Sequence, residues 1–75
     1  SGMKNEVKKN EGETHEQAVF RILKHFMQDQ GSINHLKEFI SINQEAINKF
    51  KDDKDLMAKF KQETKNKLDK LQGAS

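Results

Sequence analysis

Between residues 14 and 30 the chain reads THEQAVFRILKHFMQDQ, and Val19, Phe20, Ile22, Leu23, Phe26 and Met27 recur there at helical spacing. They make a broad apolar stripe centred on Leu23, with Gln17, Arg21, Lys24, His25 and Gln28 on the other side. Thr14 followed by Gln17 is a capping-box start, and Gly31 is a natural stop, so a helix is expected over about residues 14–29. Such a helix is marginal alone in water and must be covered by something. Only the shorter apolar segments downstream are available to do it.

The remaining composition narrows the fold class. There are two valines, no tyrosine, no tryptophan and no proline, which favours an all-α chain over a sheet. The absence of cysteine excludes disulfides and thiolate metal sites. No apolar run approaches the length of a membrane span, and no signal-peptide core is present. Seventy-five residues make one domain near the lower limit for folding without staples. A net charge of +2 with acids and bases mixed is not the concentrated basic face of a nonspecific nucleic-acid binder.

Residues 1–13 read as a flexible leader, with a protease scar at Ser1-Gly2. Residues 14–72 read as a single helical domain and residues 73–75 as a tail. After Gly31, Ser32 is placed to cap a second helix whose stripe is Ile33, Leu36, Phe39 and Ile40. The short link predicts that this helix folds back on the first. Asn43 then opens a brief 3₁₀ turn with Ala46, Ile47 and Phe50 inward, and Asp52 or Asp53 caps the last helix. That helix, residues 54–72, presents Leu56, Met57, Phe60, Leu68 and Leu71, with Thr64 inside the stripe. Asp55 with Lys59 and Glu63 with Lys67 are expected as i,i+4 pairs. Beyond Thr64 the stripe narrows, so the last two turns are expected to fray or project into solvent. The expected architecture is a small orthogonal bundle of helix, helix, short 3₁₀ helix and helix.

This arrangement resembles the FF domain over residues 14–72. The family's first helix carries a motif of the form A-F-x-x-L-L, and here Ala18-Val19-Phe20-Arg21-Ile22-Leu23-Lys24 supplies Phe20 and Leu23. Its second phenylalanine sits in the last helix, and Phe60 falls forty positions after Phe20 within LMAKFKQE. Ile33, Leu36 and Ile40 stand where the family places tryptophan and two apolar residues, and Asn43, Ile47 and Phe50 match its middle segment. The departures are Ile33 for the tryptophan, Ile47 for the usual tyrosine, a shorter first loop and no D-P-R-Y string. The resemblance implies a core of Phe20, Leu23, Ile33, Leu36, Ile40, Ile47, Phe50 and Phe60. It also implies a non-catalytic protein-interaction module of nuclear pre-mRNA splicing or transcription elongation scaffolds. Its partners would be the phosphorylated C-terminal repeats of RNA polymerase II or acidic segments of splicing factors.

Other chemistry finds little support in the residues. His15, His25 and His35 recur every ten positions, which does not bring metal ligands to one point. Asp52, Asp53 and Asp55 lack the glycine and distal glutamate of a calcium loop and read as helix caps. Ser32 and Ser41 sit at helix boundaries without a serving histidine, so no enzyme, cofactor or metal is expected. The functional candidates are basic. Lys49, Lys51 and Lys54 cluster around the short helix and the next turn, and Lys61 and Lys65 are the lysines of the last helix most free to meet a partner. A monomer is expected, with no membrane and no nucleic acid. The alternatives are a helix-turn-helix DNA-binding unit built on the first two helices, and an oligomerisation element built on the seam of the last.

Overall fold

The computed structural model describes residues 8–73, and all regular structure among them is helical. The order is α1 (His15–Met27), α2 (Ile33–Ile42), α3 (Gln44–Asn48) and α4 (Lys54–Gly73).

Three of the four starts are chemically marked. The Thr14 hydroxyl accepts the Gln17 N–H at 3.1 Å while the Gln17 side chain accepts the Thr14 N–H at 3.0 Å, a complete capping box. Ser32 caps α2 by accepting the His35 N–H, and the Asp53 carboxylate caps α4 by accepting the Leu56 N–H. Two expectations about local chemistry fail. Gly31 is not the stop of α1: among the described residues only Gly12 has positive φ, and α1 closes earlier through i→i+3 bonds from Gln28, Asp29 and Gln30. Nor does the Asn43 side chain cap α3. It is buried and donates back to the Phe39 carbonyl at 2.8 Å, which seals the end of α2 instead. The short segment itself is α-helical over Gln44–Asn48 rather than 3₁₀.

The core is assembled on α4. Helices α1 and α2 both pack against α4 and against α3, and their buried side chains share one core cluster. Val19, Leu23 and Met27 from α1 meet Leu36 and Phe39 from α2, Ile47 and Phe50 from the middle, and Leu56 and Phe60 from α4. Ala18 is also fully buried, so the stripe of α1 runs through residues 18, 19, 23 and 27. Phe26 lies off that face and is 46% exposed. Of the expected core, Phe20 and Ile40 are partly buried and pack against the cluster, and Ile33 is partly buried at the first turn of α2.

Phe20 and Phe60 meet through an intermediary. The Phe50 ring lies 6.0 Å from Phe20 and 5.7 Å from Phe60, edge-on to both. Edge-to-face pairs of this kind add ~0.5–1.5 kcal/mol beyond the burial itself. Phe50 belongs to no helix. It sits in the turn after α3, at 1% exposure.

The end of α4 does not project into solvent. Leu68 and Leu71 pack against the core, and the Lys67 ammonium donates to the Gln28 carbonyl at the end of α1. The leader is also held in part. Arg21 donates to the Lys8 carbonyl and to the Glu13 carboxylate, both at 2.8 Å. Residues 8–13 are thereby folded onto α1, and residues 1–7 of the expected leader and 74–75 of the tail lie outside the described residues. Gly12 makes this turn possible with φ +81°, a left-handed conformation that few other residues adopt.

Candidate functional site

Lys49, Lys51, Lys54, Lys61 and Lys65 are all exposed, but they do not form one patch. Lys49 ends α3, Lys51 lies in the next turn, and the others are on α4. Residues of an α-helix advance by about 100° each, which puts Lys54, Lys61 and Lys65 within about 40° of one another on a single face.

Two of these lysines, Lys49 and Lys61, line different open hollows. One, of about 440 Å³, has Phe50 with Glu16, Asp52, Asp53 and Lys49 around it. Lys49 is therefore set among three carboxylates. The other, of about 340 Å³, lies where α2 and α3 meet α4 and is lined by Ile40, Gln44, Ile47, Met57, Phe60, Lys61 and Thr64. No carboxylate lines it. Its uncharged polar members are satisfied within the chain: the Gln44 amide donates to the Ile40 carbonyl and the Thr64 hydroxyl donates to the Phe60 carbonyl. Thr64 thus sits in an apolar stripe without leaving its hydroxyl unpaired.

The remaining charges tie the fold together. Glu63 pairs with Lys24 across α1 and α4 at 3.5 Å, and Lys67 reaches the Gln28 carbonyl, so the expected Glu63–Lys67 pair is replaced by two links between helices. Asp55 and Lys59 form no ion pair either, the two ion pairs among the described residues being Arg21–Glu13 and Lys24–Glu63. At α1 the Arg21 guanidinium, followed by the Asn10 N–H, holds the Glu13 carboxyl below its ordinary pKa. Arg21 is the chain's single arginine. With two contacts to Glu13 and one to Lys8, the Nε–Nη2 edge of its fork is already taken.

Sequence reasoning named the lysines and missed the groove. Ile40, Ile47, Met57 and Phe60 each read as core, and each does pack into the core. What the pattern lacked was the gap left between them at the meeting of three helices.

His15, His25 and His35 are exposed on α1 and α2, and no three potential ligands converge as a metal site among the described residues. The Ser32 hydroxyl is engaged in its cap. No described helix is long and apolar enough to cross a membrane. Comparison of the chain with protein families, with curated proteins and with solved structures finds no match.

Proposed function

We propose that this chain is a non-catalytic protein-interaction domain that receives an acidic segment of a partner protein. The observation that carries this reading is the unequal use of its cations. Arg21, Lys24 and Lys67 are engaged with oxygens of the chain itself, whereas Lys54, Lys61 and Lys65 share one exposed face of α4 with no ion pair among the described residues. Lysines on a helix are ordinarily only solvated. A row of them whose middle member, Lys61, lines an apolar groove without carboxylates offers both attraction and anchorage.

The finer reading is an FF-like module of a nuclear splicing or transcription-elongation scaffold. Its support is the helix order, with one short helix before the last, and the Phe20–Phe50–Phe60 contact between the outer helices. Acidic segments are favoured over phosphorylated polymerase repeats as the partner. Phosphate is best gripped by arginine forks, and the one arginine here is occupied by Glu13.

NMR titration of the labelled chain tests the reading. The ligands are a glutamate-rich peptide, polymerase-tail peptides with and without phosphate, and duplex DNA. Amide shifts at Lys54, Lys61 and Lys65 with the glutamate-rich peptide, weakening as salt rises, are expected. Silence of those amides with every peptide overturns the proposal. Strong binding of DNA with a steep salt dependence would replace it with the helix-turn-helix alternative.

A further inference from the structure

The groove and the lysine row together define a partner more narrowly than charge alone. Lys61 belongs to both, since it lines the groove and stands midway along the row. Met57 lies one turn before Lys61, and Thr64 lies just under one turn after it, so the groove's α4 wall runs alongside the cations. From Lys54 to Lys65 the row extends about 16 Å along the helix axis, at about 1.5 Å per residue. That is a line of spaced point charges. It matches carboxylates presented at intervals and does not converge on one dianion.

We infer that the groove between α2, α3 and α4 is the docking point for an acidic amphipathic helix of a partner protein. This helix inserts a large apolar side chain between Ile40, Ile47, Met57 and Phe60 and lays its carboxylates along Lys54, Lys61 and Lys65. The choice of occupant rests on charge complementarity. The groove has a lysine and no acid in its lining, whereas the neighbouring hollow beside Phe50 carries three carboxylates against Lys49 and would repel the same ligand. A second copy of this chain is a poorer fit, because the seam of α4 that would have to be offered is already used: Met57, Leu68 and Leu71 pack against the chain's own core.

The inference rests on the acidic-partner reading above, and its test separates the two. The probe is a synthetic helical peptide of about four turns, with leucines on one face and glutamates on the flanks. Two companions replace either the leucines by alanine or the glutamates by glutamine. The reporters are the methyl groups of Met57, in the groove wall, and Met27, fully buried in α1. The parent peptide is expected to shift the Met57 methyl and leave that of Met27 in place. Each companion peptide should bind about tenfold more weakly, as should the Lys61→Glu and Lys65→Glu variants. Lys70→Glu, on the opposite face of α4, makes the same charge change and should bind normally, with circular dichroism verifying that each variant is folded. Binding that leaves Met57 unmoved, or that is insensitive to loss of the leucines, overturns the groove while leaving the acidic-partner reading intact. Equal loss in Lys70→Glu and Lys61→Glu also overturns it. No binding by either glutamate-bearing peptide overturns both.

Discussion

Phe26 and Phe50 make opposite use of similar chemistry. Phe26 belongs to a capped, strongly amphipathic helix, yet its ring is 46% exposed and touches only the neighbouring His25 ring edge-on among aromatic partners. Phe50 belongs to an irregular turn, yet it is 1% exposed and joins the two outer helices. Membership of a good helix decides which way a side chain points, not whether anything waits there. On α1 the buried face runs through Ala18, Val19, Leu23 and Met27, and Phe26, turned away from it, leaves its ring outside. At the turn after α3, three helices converge around a single position.

The largest test of that contrast is truncation of each ring. Phe50→Ala should cost about 3–5 kcal/mol, enough to remove most of the stability of so small a domain, whereas Phe26→Ala should stay within about 0.5 kcal/mol of the parent. Urea unfolding followed by circular dichroism measures both, and similar losses would break the comparison. Next come the caps. Asp53→Ala removes the acceptor for the Leu56 N–H beside the Phe50 turn and should cost about 1 kcal/mol, as should Thr14→Ala at the far end of the chain. If Asp53→Ala costs far more than Thr14→Ala, the turn depends on its cap and not on the aromatic contacts.

The polar links should weigh less. Lys24 and Glu63 are exposed and partly exposed, and the pair spans 3.5 Å, so Glu63→Gln should cost less than about 1 kcal/mol. A double-mutant cycle with Lys24→Met would isolate the coupling. The smallest effect concerns pH. Because Arg21 lowers the pKa of Glu13 in the folded chain, that carboxylate's contribution is complete above the ordinary glutamate pKa. It fades as the pH falls through the lowered folded value. NMR titration of the Glu13 side chain should give a midpoint below the ordinary one, and Arg21→Gln should raise it, leaving only the smaller lowering by the Asn10 N–H. An unchanged midpoint would mean that the clasp holding residues 8–13 does not persist in solution.

Much of the helical plan was readable from residues 14–72. The capping oxygens of Thr14, Ser32 and Asp53, and the inward positions of Leu23, Leu36, Ile47, Phe50 and Phe60, are set by spacings of a few residues. Misreadings arose where a residue had two local options. Glu63 and Lys67 are one turn apart and suit each other, but both found partners at α1. Asn43 suits an N-cap, but burial favoured the carbonyl of Phe39. The candidate lysines were legible as free charges, but the placing of Lys49 in an acidic hollow and of Lys61 in an apolar groove was not.

The amino-acid order alone determined that this protein is helical, where three of its helices begin, and which side of each seeks an interior. Those are consequences of hydrogen bonds and periodicities that close within a turn or two of chain. Tertiary structure alone decided that α1 and α2 lie on α4 and α3, that one phenylalanine in a turn joins the outer two, and that a groove opens beside Lys61. Each of these depends on atoms far apart in sequence that come together only when packing overrides the competing local partners.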